Sequence, residues 1–215
     1  MKITKYPQSC FLVELKDKRI LIDPGSYVYS ALPFKPEDWQ KIDVILFTHE
    51  HSDHFDLESL KIIMRSNQPK IITNQAVQGK LKDAGIESLD IEPGEMTNVD
   101  NVEFMGVKSK HGPLPGGGEP PEVIGFLIDR QLLHLGDTVK SDKVPAEIVL
   151  IPMCGQVCFS PKDAVKYLKK IKPRLAIPMH YHNEKFITDT AVFAKAFEEA
   201  KIPYQILEEQ ESITA

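Results

Sequence analysis

Leu46-Phe-Thr-His49-Glu-His51-Ser-Asp53-His54-Phe55 is the stretch around which the rest of the chain is read. Three of the seven histidines fall within six residues here, with Asp53 beside the last of them. The apolar run Ile42–Phe47 leads into the cluster and predicts a buried strand. The histidines then occupy the loop at its C-terminal end. His49 and His51 stand at i and i+2, and side chains so spaced point the same way in extended backbone. Both can therefore grip one cation from one side, while Asp53 and His54, farther round the loop, can turn to a second position. The pair is not a helical H-E-x-x-H, whose histidines are four apart, so Glu50 is not read as a general base.

Three further candidates share a context. His111, Asp137 and His180 each stand just beyond an apolar strand-like run. Strand ends hold ligands accurately while the adjoining loops shape access, and a carboxylate such as Asp137 has two oxygens with which to bridge two cations. Imidazole together with carboxylate suits zinc, iron or manganese. The seven residues are read as a two-metal hydrolytic site.

The 215 residues suit one domain spanning 1–215, or one compact two-layered unit. A 42% apolar and 27% charged composition describes a globular protein able to bury a core without disulfides. The balance of 26 basic against 31 acidic side chains, −5, argues against a long nucleic-acid footprint. It does not exclude a small phosphorylated substrate, because the metals would supply positive charge locally. Cys10, Cys154 and Cys158 form no disulfide framework. The gap between the last two is not a redox C-x-x-C, and burial is favoured over chemistry for both. No secretory leader and no run approaching the roughly 20 apolar residues of a membrane span are visible. The expectation is a cytoplasmic protein with a small-molecule substrate; no surface stripe identifies an interface, and a homo-oligomer stays open.

Outward from the cluster, strands are expected at 10–16 and 18–22 with a turn at Lys16-Asp17, closed by Asp23-Pro24-Gly25. Residues 26–41, with Tyr27, Tyr29, Phe34 and Trp39 among prolines, are read as a loop whose aromatics either line a cleft or anchor it to the core. Asp56 is placed as the cap of a helix over 57–66, whose Leu57, Leu60, Ile63 and Met64 form one stripe. A strand at 70–73, a helix at 75–84 and strands at 88–91, 95–99 and 101–108 follow. Residues 112–121, rich in glycine and proline, form either a rim beside His111 or a plain hairpin connection. A hairpin around Asp129-Arg130 precedes Asp137, and Ile148–Ile151 forms a strand. Ser160-Pro161 opens a helix, Arg174–Pro178 delivers His180, and a helix over 188–199 leads to a strand at 204–207 and a fraying acidic tail. Strand pairs followed by helix–strand alternation in both halves suggest two mixed sheets face to face with helices outside, an α/β four-layer αββα sandwich.

His49-x-His51-x-Asp53-His54 resembles the signature of the metallo-β-lactamase fold superfamily. Leu135-Gly-Asp137-Thr138 is similar to its bridging-aspartate segment, and Asp23-Pro-Gly25 to its early turn near the site. Met179-His180-Tyr181 resembles the last ligand segment of the compact branch of ascorbate-6-phosphate-lactonase-like proteins, many known only as metal-dependent hydrolases. The resemblance runs from Cys10 to about Leu207, departing at Phe55-Asp56, where many members carry a glycine. It implies the αββα fold and two divalent ions, zinc first, with manganese or iron as alternatives, and a hydroxide between them. His49, His51 and His111 would hold one ion and Asp53, His54 and His180 the other, with Asp137 bridging. Asp53 would orient the hydroxide or pass a proton, and His182 is a candidate for substrate binding or proton transfer. The expected activity is hydrolysis of a small ester, lactone or phosphoester. A nuclease or phosphodiesterase, a dinuclear iron oxygen-reducing protein and a non-catalytic metal-containing binding or regulatory protein are the alternatives.

Overall fold

The computed structural model describes residues 1–181 and 188–215. Its strands, in chain order, are β1 (Lys2–Lys5), β2 (Phe11–Leu15), β3 (Lys18–Ile22), β4 (Val44–Leu46), β5 (Lys70–Thr73), β6 (Leu89–Asp90), β7 (Met96–Val99), β8 (Val102–Lys110), β9 (Glu122–Ile128), β10 (Leu132–His134), β11 (Lys140–Ser141), β12 (Ile148–Pro152), β13 (Leu175–Met179) and β14 (Ser212–Thr214). The helices are α1 (Ser26–Ala31), α2 (Leu57–Ser66), α3 (Gln75–Asp83), α4 (Pro161–Ile171) and α5 (Thr190–Glu199). Two compact units result. Unit 1 comprises Met1–Ile91, Asn98–Val102 and Glu208–Ala215, and unit 2 comprises Glu92–Thr97 and Glu103–Leu207.

Unit 1 is built on a mixed sheet of order β14-β1-β2-β3-β4-β5-β6. Its first pairs, through β3, are antiparallel, and β3, β4, β5 and β6 run parallel. Parallel neighbours need long crossovers, and α1, α2 and α3 occupy them. Leu12, Leu21, Ile45 and Ile71 pack in one cluster with Val28, Leu60, Ile63, Val77 and Leu81 of these helices. The alternate residues Phe11, Val13, Ile20, Ile22, Val44, Leu46 and Ile72 are buried as well. Burial on both faces explains why β3, β4 and β5 read as nearly unbroken apolar runs. Asp56 caps α2 by accepting from the Ser59 N–H at 3.0 Å, so it starts the helix that follows the histidine loop. Phe55 packs edge-on against Phe47, their centroids 5.0 Å apart.

Unit 2 repeats the plan. Its sheet runs β11-β8-β9-β10-β12-β13, with β7 paired to β8; the pairs through β10 are antiparallel, and β10, β12 and β13 are parallel. Leu133, Val149, Ile151 and Ala176 of the sheet pack with Ala164, Tyr167 and Leu168 of α4 and Phe193 and Phe197 of α5. Ser160 caps α4 by accepting from the Asp163 N–H at 3.2 Å, and Asp189 caps α5 by accepting from the Ala191 N–H. Each unit is thus a mixed sheet flanked by helices, as expected for an α/β sandwich. The 112–121 segment connects the antiparallel strands β8 and β9.

Three local expectations change. Residues 26–41 are not all loop: they contain α1 and a 3-10 turn at Pro36–Asp38. The helix has six residues, no side-chain cap and no acidic first turn, so it carried no local signal. Tyr29, Phe34 and Trp39 anchor the segment to the core. Trp39 is 1% exposed, meets Tyr6 and Phe34 edge-on and donates its indole N–H to the Tyr29 hydroxyl. Residues 204–207 make only an isolated bridge, Tyr204 to Ala176. The tail does not fray, because β14 pairs with β1, Lys2 opposite Thr214; a partner more than 200 residues away leaves no trace in local sequence.

Burial lowers the Lys5 ammonium, which lies in β1, to about 8, partly offset by Glu209, the Cys10 thiol and Glu208. Its Nζ donates to the Tyr6 carbonyl at 3.1 Å. The native state therefore binds this proton less tightly than the unfolded chain, whose lysine keeps its value of 10.5. Stability must then rise as pH climbs from about 8 to 10.5. At about 1.4 kcal/mol per pH unit, and allowing for the lost Tyr6 bond, Lys5→Met is expected to stabilise unit 1 by roughly 2–3 kcal/mol at pH 7 and to remove that slope. Urea unfolding at pH 7, 8.5 and 10 measures both; equal midpoints for the two proteins at pH 7 would contradict it.

Candidate metal centre

Unit 1 carries its candidate ligands on the loop that leaves β4. Before the loop, β3 is followed by Asp23, whose φ of 48° is left-handed, an arrangement costly for a non-glycine residue and concentrated at functional sites. One carboxylate organises the loop. Asp23 Oδ1 accepts from the Thr48 N–H at 2.8 Å, and Oδ2 from the Thr48 hydroxyl at 2.7 Å. Asp23 Oδ2 also lies 2.7 Å from His54 Nδ1. A carboxylate accepts only, so His54 donates through Nδ1 and its lone pair stands on Nε2. The Thr48 proton is committed to Asp23. Its oxygen therefore accepts from His49 Nδ1 at 3.0 Å, which places the lone pair of His49 on Nε2 as well. Asp23 and Thr48 thereby fix both rings in the tautomer a metal requires.

Within that loop His49 and His51 offer ligand atoms within 4.8 Å of each other, as do Asp53 and His54. The ring centroids of His49 and His51 lie 4.8 Å apart, and those of His49 and His54 lie 4.0 Å apart. His49, His54 and Asp23 are fully buried, whereas the Asp53 side chain keeps 26% exposure. The Asp23-Pro24-Gly25 turn clamps the loop from below. Ser26 donates its N–H and hydroxyl to the Ser52 carbonyl at 2.7 and 2.9 Å.

Unit 2 presents the remaining three candidates beyond the ends of three strands. His111 follows β8, and its Nδ1 lies 2.7 Å from the Gly112 carbonyl, which sets Nε2 as its lone-pair nitrogen. Gly112 has no room for a side chain: a Cβ would sit 2.7 Å from the Gln156 carbonyl oxygen and 2.8 Å from Val157 Cα. Thr138, next to Asp137, accepts from the Lys110 N–H at 3.1 Å and so ties the aspartate segment to the end of β8. Asp137 Oδ2 lies 3.0 Å from His180 Nε2, a spacing that two donors on one cation can adopt. His180 leaves β13 with a left-handed φ of 61°, and both residues are about 98% buried.

His134 is fully buried and accepts from the Gly136 N–H at 3.2 Å, a structural role. Arg130 is solvated and pairs with Glu103. His182 lies outside the described residues. Two groups escaped the sequence reading. Thr48 looked like one more residue of an apolar approach, with nothing to mark its hydroxyl. Cys154, partly exposed, and buried Cys158 offer sulfur atoms within 4.8 Å of each other and of a His180 nitrogen. The hydrogen bond with Cys158 brings the Cys154 thiol down to about 5 against the effect of burial, and His180 adds to the lowering. Burial pushes the Cys158 thiol up, and Cys154 and Asp137 push it further.

The donor chemistry fits divalent cations: in unit 1 the buried imidazoles of His49 and His54, in fixed tautomers, stand near the Asp53 carboxylate, and in unit 2 the His180 imidazole stands beside Asp137. Asp23→Ala tests the unit 1 cluster. It is expected to weaken metal affinity about 10–100-fold, the usual effect of removing an imidazole's orienting partner, in a competitive chelator titration. Unaltered affinity in the folded variant would refute that role.

The fold and these clusters define a metallo-β-lactamase-like metal-dependent hydrolase class. The chain belongs to the β-lactamase superfamily, matching the Beta-lactamase superfamily domain over residues 2–180, and within it to the UPF0173 group. It is 34% identical over 190 residues to a UPF0173 protein of Pyrococcus abyssi, covering 84% of this chain and 83% of that one. It is 31% identical over 191 residues to a UPF0173 metal-dependent hydrolase of Thermoplasma acidophilum, covering 85% and 84%. The structure of Igni18, a metallo hydrolase from Ignicoccus hospitalis, shares the fold with a TM-score of 0.82 at 22% identity, covering 99% of this chain and 97% of that one. Among the described residues, no helix is long and apolar enough to cross a membrane.

Proposed function

We propose that the chain acts as one domain and hydrolyses a small ester, lactone or phosphoester at a dinuclear metal centre. In this reading His49, His51 and His111 would hold one ion and Asp53, His54 and His180 the other, with Asp137 available to both. The observation that carries the proposal is the Asp23–Thr48 network, which aims the Nε2 lone pairs of His49 and His54 outward from a buried carboxylate. Buried polar arrangements of this kind serve to present ligands. Zinc is the expected metal, with manganese or iron as alternatives.

When bound, the ions supply a nucleophilic water at neutral pH and polarise the substrate oxygen. The chain's residues do the rest. Asp23 and Thr48 keep His49 and His54 from rotating or changing tautomer. Asp53, the ligand left partly in contact with solvent, orients the attacking water and carries its proton toward the leaving group. His182 contacts the substrate or moves a proton. The ascorbate-6-phosphate-lactonase-like branch supplies the substrate class to try first, and the cytoplasm is the proposed compartment.

Elemental analysis of the purified protein, followed by ester, lactone and phosphodiester substrates on that same loaded sample, tests the reading. We expect about two ions per chain and turnover of one class, lost on chelation and restored by metal. Full metal loading with ligand binding and no turnover would favour a binding protein. Nucleic-acid binding that falls steeply with salt would favour a nuclease.

A further inference from the structure

Cys154 and His180 are neighbours because of strand register. β12 and β13 are parallel, Pro152 stands opposite Met179, and the Met153 N–H donates to the Met179 carbonyl at 2.9 Å. Cys154 follows Met153 and His180 follows Met179, so both leave the same end of this strand pair. The loop then doubles back. Gly155 takes a left-handed φ of 75° and donates its N–H to the Phe159 carbonyl at 3.2 Å. The Val157 carbonyl is held by the Gly112 N–H at 2.9 Å. This returns Cys158, 1% exposed, to the same place. The two sulfurs and a nitrogen of His180 all lie within 4.8 Å of one another.

We infer that Cys154, Cys158 and His180 form a binding site for a thiophilic cation, separate from the hard-ligand set and sharing His180 with it. The C-x-x-x-C spacing falls within that of thiolate zinc loops. Metal–sulfur bonds of about 2.3 Å and metal–nitrogen bonds of about 2.0 Å place tetrahedral donors roughly 3.5 Å apart, which small side-chain rotations reach from the observed spacing. Two thiolates select zinc, cadmium or copper(I) over manganese. Any proton still held by a binding sulfur is released to solvent as the sulfur–metal bond forms, and no electron is transferred. Three protein donors leave a fourth position for water or an exogenous ligand. His180 also lies against Asp137, so a cation held by the sulfurs draws this imidazole away from the aspartate. The site stands without the hydrolase reading; only this competition rests on it.

Cadmium titration of the chelator-stripped protein, its thiols kept reduced by a phosphine, tests the inference. The readout is thiolate-to-cadmium charge-transfer absorption. The band is expected to saturate at one cadmium per chain, to persist in Cys10→Ala, and to vanish in Cys154→Ser and in Cys158→Ser. His180→Ala should weaken it by about tenfold or more, since even outer-shell changes reach that scale. Cys154 is partly exposed, so its variant stays informative where Cys158→Ser fails to fold by circular dichroism. No band in the reduced wild type, a band that survives Cys154→Ser, or one lost in Cys10→Ala would overturn the site. Turnover without a thiolate band removes this site and leaves the hydrolase; a band without turnover does the reverse.

Discussion

Asp53→Ala is expected to lower hydrolytic kcat/KM by about a thousandfold while the protein stays folded. A ligand whose loss disables the second ion removes several kcal/mol of transition-state stabilisation, and about 4 kcal/mol corresponds to that factor. Folding is spared because the Asp53 side chain is 26% exposed and lies 3.7 Å from His54 Nε2, outside the buried Asp23–Thr48–His54 network. The measurement is steady-state hydrolysis at saturating metal, alongside metal content and a urea melt. A rate within tenfold of wild type, with both ions retained, would remove Asp53 from the mechanism.

Gly25→Ala is expected to destabilise unit 1 by about 3 kcal/mol or more, at the upper end for overpacking substitutions. The reason is contact and not backbone conformation, since Gly25 has an ordinary φ of −74°. A Cβ there would sit 2.1 Å from the Asp53 carbonyl carbon, 2.3 Å from its oxygen and 2.4 Å from the His54 nitrogen. These are backbone atoms of the ligand loop, and Asp23 and Thr48 hold the loop in place by four hydrogen bonds. The added methyl must displace either the turn or the loop, so lost stability should come with weaker metal binding. Urea denaturation and chelator competition on the same variant measure the two effects. A stable variant with native affinity would mean that the loop yields freely, contrary to the network described. Gly79, with open space around its Cβ position, is the control: alanine there should be neutral or mildly stabilising, as in any helix interior.

The local signals in the chain were sound where chemistry is short-range. Caps at Asp56 and Ser160, the stripe of α2 and the apolar runs of β4 and β12 were all legible, because each depends on residues within one or two turns or on the burial of a short strand on both faces. The candidate ligands were legible for a different reason. Metal chemistry admits few residue types, and His49-x-His51-x-Asp53-His54 compresses four of them into six positions.

What tertiary structure alone decided involves partners distant in sequence. Asp23 reaches His54 across 31 positions, and nothing near Asp23 distinguished an imidazole partner from a capped turn. The same holds for Gly25, whose bareness is imposed by the Asp53 backbone, and for β14, whose partner is the opposite end of the chain. Cys154 meets His180 through strand register, and two cysteines in a loop say nothing of a histidine more than twenty residues on. Sequence by itself named the ligand types and the strands that deliver them; the hydrogen bonds that fix each ring, and the extra sulfur donors beside one of them, exist only once non-local pairing sets the register.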